Sequence, residues 1–168
     1  MSYQDEKSKN FSYYCREGKI KFVKKWIDNP NVDINWNYHA PLRNAVKYKQ
    51  KEVIELLLNQ PKLKTDYGVG GTRELTGEWN RVKMVFNPFT ESMKQAHDGD
   101  YEMLDLLMKS GKFEITRVEH LNILVELENE KLTEYFLSLE GFQDYMLSRD
   151  SSYATLLLPE SVRDIFLF

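Results

Sequence analysis

The sequence predicts an all-α fold, a solenoid of four to five stacked helical repeats with one inserted β-hairpin, on three observations. A helix–turn–helix segment recurs along the 168 residues. Proline stands twice where a first helical turn tolerates it. The main glycine-rich stretch falls between two repeats, which is where solenoids carry insertions.

Taken in order, the first repeat covers about residues 8–39. It has a turn at Glu17-Gly18-Lys19 and a second helix with apolar Ile20, Val23 and Ile27 at helical spacing, with Phe22 and Trp26 beside them. The second, about 40–66, reads Ala40-Pro41-Leu42-Arg43-Asn44-Ala45, then a polar turn over Tyr48–Lys51, then Val53-Ile54-Glu55-Leu56-Leu57-Leu58. The third, about 87–115, opens with Asn87 as N-cap before Pro88-Phe89, turns at His97-Asp98-Gly99-Asp100, and continues through Met103–Met108. The fourth, about 116–146, opens with the capping-box spacing Thr116-Arg117-Val118-Glu119 and turns at Glu128-Asn129-Glu130 before Leu132–Leu139. No copy buries its apolar face alone, so neighbours must stack into a single domain over residues 1–168.

Residues 67–86 form the insertion. With Asp66 they hold Gly68, Gly70, Gly71 and Gly77, and Thr72–Thr76 and Trp79–Phe86 read as short strands around Gly77-Glu78. The last segment, 147–168, reads as a terminal cap: Ser151-Ser152 opens one short helix, and Pro159 another through Val162, Ile165 and Phe166. Its apolar end, Ile165 to Phe168, either plugs the last repeat or docks on a partner or a second copy.

The order Ala-Pro-Leu-x-x-Ala, polar turn, Glu-Val-Ile-Glu-Leu-Leu-Leu resembles the ankyrin repeat, with Asp33-Ile34-Asn35 as the loop signal before Ala40-Pro41. Arg43 stands where the family pattern has His, and Ser92 where the second copy has Ala45. The second copy carries the resemblance best, the third partly, and the first and fourth in outline. The Lys/Asn/Tyr-rich short chain is similar to ankyrin proteins of bacteriophages and large DNA viruses. That resemblance implies a non-catalytic protein–protein interaction module, and for a viral protein, one that binds and inhibits a host factor.

Composition excludes several other classes. Hydrophobic residues at 42% with Tyr 10 and Phe 9 argue against disorder. The single Cys15 cannot form an internal disulfide, the first ten residues lack a leader pattern, and apolar runs are only a few residues long. A cytoplasmic protein that crosses no membrane is therefore expected, in the host cytoplasm for a viral chain. The formal charge of −3 hides an asymmetry: residues 1–86 carry sixteen Lys/Arg against ten Asp/Glu, and 87–168 seven against sixteen. Stacked turns would run along one rim from Lys19, Lys21, Lys47, Lys49 and Lys51 to Asp98, Asp100, Glu102, Glu126, Glu128 and Glu130. Such a rim is either plain solvated surface, a steering field, or a head-to-tail contact making a homo-oligomer. The acidic half disfavours nucleic acid as partner.

No catalytic constellation, metal site or cofactor motif is read. His39, His97 and His120 are scattered without a second ligand at metal-site spacing. Cys15 reads as a small buried hydrophobe. Gly68-Val69-Gly70-Gly71 lacks the Gly-Lys-Ser/Thr ending of a phosphate loop. The ankyrin resemblance instead implies projecting loops, the first exposing Trp36, Asn37, Tyr38 and His39. Aromatic side chains at a loop tip are typical binding hot spots, the alternative being that Trp36 packs across the base of its neighbour. The insertion, with Tyr67, Arg73, Trp79 and Arg81, is the second candidate protein-binding surface. A pocket there for a small ligand or nucleotide, sequestered rather than turned over, is the rival reading. An unrecognised enzyme is the remote one.

Overall fold

A computed structural model describes residues 2–65, 72–73, 84–85, 88–114, 118–149 and 151–158, and the described residues are overwhelmingly helical. No helix among them is long and apolar enough to cross a membrane. The chain divides into two compact units, Met1–Arg73 with Val85–Phe113, and Glu74–Met84 with Glu114–Phe168.

The first unit holds α1 (Tyr3–Arg16), α2 (Ile20–Trp26), α3 (Trp36–Lys47) and α4 (Lys51–Leu58). After the insertion it continues with α5 (Pro88–His97) and α6 (Glu102–Lys109). α1 starts at Tyr3, ahead of the boundary near residue 8 expected from the repeat. A reciprocal capping box sets that start: Ser2 Oγ accepts from the Asp5 amide at 3.1 Å, and the Ser2 amide donates to Asp5 Oδ2 at 3.1 Å. The helices pair as hairpins, α1 with α2, α3 with α4, α5 with α6. The leading helices also pack in series, α1 on α3 and α3 on α5. Phe11 and Cys15 of α1, Leu42, Ala45 and Val46 of α3, and Phe89, Met93 and Ala96 of α5 supply buried side chains to this series. Val23, Ile54, Leu57, Leu104 and Leu107 bury the trailing helices.

One turn geometry closes all three leading helices. Gly18, Lys49 and Gly99 each take a left-handed conformation, with φ of 63°, 55° and 94°. Their amides donate to the carbonyls of Cys15, Val46 and Ala96, and the next amides, of Lys19, Gln50 and Asp100, to Tyr14, Ala45 and Gln95. This is the Schellman motif three times over, which satisfies helix-end carbonyls that otherwise lack partners.

Side chains then tie each hairpin to the one before it. Asn44 Nδ2 donates to Ser12 Oγ at 3.0 Å, Gln50 Nε2 to the Arg16 carbonyl at 3.0 Å, and Gln95 Nε2 to the Val46 carbonyl at 3.0 Å. On the rim, Lys49 pairs with Asp100 and Lys51 with Glu102. The second and third turns therefore neutralise each other locally, rather than standing as separate stretches of an uncompensated charge gradient.

The second unit contains α7 (Val118–Leu127), α8 (Glu130–Leu137), α9 (Phe142–Arg149) and α10 (Ser151–Leu157). Glu128 is left-handed at φ 48°, and Asn129 Oδ1 caps α8 by accepting from the Leu132 amide at 2.9 Å. α10 packs on α9 and α7, and α8 on α9, around Leu132, Phe136, Phe142, Met146 and Ala154. Phe136 and Phe142 meet with ring centroids 5.1 Å apart. Thr116, Arg117 and residues 159–168, with the expected capping box and apolar tail, lie outside the described residues. Of the insertion, Thr72–Arg73 and Met84–Val85 are described, as two-residue extended segments paired with each other. The rest of the expected hairpin, including Tyr67, Gly77, Trp79 and Arg81, lies outside the described residues.

Candidate functional site

The loop leading into α3 is built from short polar side chains that bond to nearby backbone. Asp33 Oδ1 accepts from the Asn35 amide at 2.8 Å, and the Asp33 amide donates to Ser8 Oγ at 2.9 Å. Asn35 then bridges to the loop after α4, donating through Nδ2 to the Lys62 carbonyl at 2.9 Å and accepting from the Lys64 amide at 2.8 Å. Each inter-helix loop of the first two hairpins is thereby fastened to its neighbour.

Immediately beyond, the backbone turns the wrong way. Asn37, Tyr38 and His39 have φ of 49°, 57° and 59°, three left-handed residues in succession. Asn accepts this region more readily than most, but a left-handed step costs roughly 1–2 kcal/mol for a residue with a Cβ. The right-handed helix resumes after His39, which puts Pro41 in its first turn as the sequence suggested.

What holds the turn is Arg43, one helical turn further along. Its guanidinium is almost wholly buried, and Nη1 donates to the Tyr38 carbonyl at 2.9 Å, with a longer contact to the Asn37 carbonyl at 3.4 Å. The residue that departs from the ankyrin pattern is thus the one bonded to the strained loop. His39 lies against it, half-buried. Desolvation, reinforced by the Arg43 charge, lowers the His39 pKa and so favours the neutral imidazole.

The four loop residues read from the sequence separate into anchor and tip. Trp36 is half-buried, and after the larger effect of Ser2 it helps to hold the Asp5 carboxyl of α1 below its ordinary pKa. The expectation of four exposed loop residues thus holds for Asn37 and Tyr38, while Trp36 and His39 are half-buried. Asn37 and Tyr38 are exposed, Tyr38 at 53%. Tyr67, Trp79 and Arg81 lie outside the described residues, and of Arg73 only the backbone is described.

Sequence reasoning missed two further surfaces. α2 leaves Phe22 48% exposed among lysines, stacked on Tyr14 with centroids 5.0 Å apart. In the second unit, α7, α8 and α10 enclose an open groove of ≈ 320 Å³ that includes Leu124, Leu137 and Leu156. The exposed Phe22 was visible as an aromatic at an off-face helical position; the groove depends on long-range packing and had no local signal.

Cys15 is fully buried and burial pushes its thiol pKa up, as its core reading requires. No group of three or more His, Cys, Asp or Glu among the described residues is placed to hold a metal ion. Comparison with protein-family models, curated proteins and solved structures finds no match to this chain.

Proposed function

We propose that the chain is an ankyrin-like helical repeat module that binds a protein partner without catalysis, with the Trp36–His39 loop as its principal contact. Support for the repeat reading comes from the three identical turns and from side-chain amides that cross from each hairpin to the one before it. The observation that carries the functional reading is the left-handed turn at Asn37–His39. Strain of this kind persists only where surrounding groups over-determine it, and it clusters at binding loops. Here a buried arginine holds it, and the product is an exposed tyrosine presented on a preformed backbone. Preorganisation lowers the ordering cost of binding, and tyrosine supplies large contact area at small entropic cost.

The test is quantitative affinity purification from the native host with wild type, Tyr38→Ser, and an exposed control on α4, Glu52→Ala. The expected result is that partners retained by wild type and by the control are depleted on the order of tenfold or more with Tyr38→Ser, as for an interface hot spot. Equal recovery by all three chains would remove the loop from the interface.

A further inference from the structure

Two exposed features, one on each compact unit, complement each other in charge, spacing and polarity. On the first unit, α2 buries Val23 and leaves Ile20 and Trp26 half-buried, while Lys21, Phe22, Lys24 and Lys25 are exposed. At 100° per residue these four occupy one continuous arc in the order Lys24, Lys21, Lys25, Phe22, opposite Val23. Lys19 extends the basic ridge at the start of the helix, over the Tyr13 ring. None of these four lysines makes an ion pair among the described residues.

On the second unit the leucine groove is bordered by Glu128, Glu130 and Glu134, all exposed, and no cation is among its described lining residues. Leu156 at its edge is 60% exposed. Glu130 and Glu134 stand one helical turn apart on α8, and Lys21 and Lys25 one helical turn apart on α2, so both pairs have the same spacing of roughly 5–6 Å. An exposed ring lies next to the lysine pair, and exposed leucine next to the glutamate pair.

We propose that the α2 ridge of one molecule seats in the acidic leucine groove of a second copy, with Phe22 against Leu156 and Lys21 and Lys25 against Glu130 and Glu134. Ridge and groove are different surfaces, so the contact made once between two copies is heterologous and leaves one ridge and one groove free. Exposed lysine–glutamate pairs are screened by salt, and the contact has the character of a weak, reversible association. It involves neither Tyr38 nor Arg43, and it stands or falls independently of the loop.

Sedimentation velocity of the full chain tests it, run from low micromolar to near-millimolar concentration in low and in high salt. Wild type is expected to grow with concentration in low salt and to revert to monomer in high salt. Phe22→Ser and Leu156→Ser change exposed side chains, and circular dichroism checks that each variant is folded. Each alone should be monomeric, association weakening on the order of thirtyfold for loss of a central apolar contact. Mixed in equal amounts, the two variants should form a one-to-one pair and grow no further, because one keeps its groove and the other its ridge. Wild type that stays monomeric at every concentration would overturn the proposal. So would a wild-type oligomer whose two variants fail to complement, since that marks a symmetric interface or a different surface.

Discussion

Replacing Arg43 by Met keeps most of the apolar stem and removes the guanidinium that donates to the carbonyls of the left-handed turn. The Tyr38 bond at 2.9 Å is charge-assisted and formed by a buried donor, which places its loss at about 1.5–3 kcal/mol. The 3.4 Å contact to Asn37 adds little. Against this, three left-handed residues store roughly 1–2 kcal/mol each, and a turn released from Arg43 recovers part of that by relaxing. The net expectation is a loss of about 2 kcal/mol, seen as a fall of about 1 M in the urea midpoint of the first unit by circular dichroism. Tyr38→Gly completes the cycle. Glycine occupies the left-handed region without a Cβ clash, and so Tyr38→Gly should stabilise the wild type by about 1 kcal/mol. In the Arg43→Met background the gain should shrink, because the turn has already relaxed. Two results would refute the reasoning: an Arg43→Met variant as stable as wild type, or a Tyr38→Gly change that destabilises the wild-type chain.

The first Schellman turn should be intolerant of a side chain. Gly18→Ala forces a Cβ into the left-handed region, where it collides with the Gln50 amide and displaces that residue's bond to the Arg16 carbonyl, a combined cost of about 2 kcal/mol read as a lowered melting temperature. Acidification should loosen the loop through His39. Its folded pKa is lowered by burial and by Arg43 and Lys64, with Asp33 opposing, so its stabilising contribution is complete above the unfolded value near 6.5 and is lost as pH falls through the folded pKa. His39→Asn should therefore flatten the stability–pH curve below about pH 6.5, measured by urea denaturation across that range.

The parts of this fold that were legible in the sequence are the local ones. Apolar spacing in Val53–Leu58 and Met103–Met108, and glycine at Gly18 and Gly99, mark helices and turns because a few adjacent residues decide both. Lys49 and Glu128 hold the same left-handed position without glycine, against their own preference, and only a comparison between hairpins points to them. The place of the loop was readable from Trp36 to His39, its conformation was not. Tyr38 has no intrinsic preference for a left-handed turn, and the Arg43 side chain that bonds its carbonyl stands five residues further on. The lysines and carboxylates of the rim were all visible. Their pairing across Lys49–Asp100 and Lys51–Glu102 required the register of two hairpins separated by the insertion, which no short-range rule supplies.

Three side-chain amides on or beside the helices point one way between hairpins. Asn44 donates back to Ser12, Gln50 back to Arg16, and Gln95 back to Val46, so each hairpin completes the one made before it. On the ribosome, where the amino-terminal part of a chain is free to fold first, this polarity becomes a sequence in time. The Arg16 carbonyl at the end of α1 takes a side-chain partner from 34 residues downstream, and the Val46 carbonyl of α3, already bonded to the Lys49 amide, takes a second partner from 49 downstream. The longer of the two intervals is the one that spans the insertion. In that order the first two hairpins have all the groups for their mutual bonds before Gln95 of the third is made.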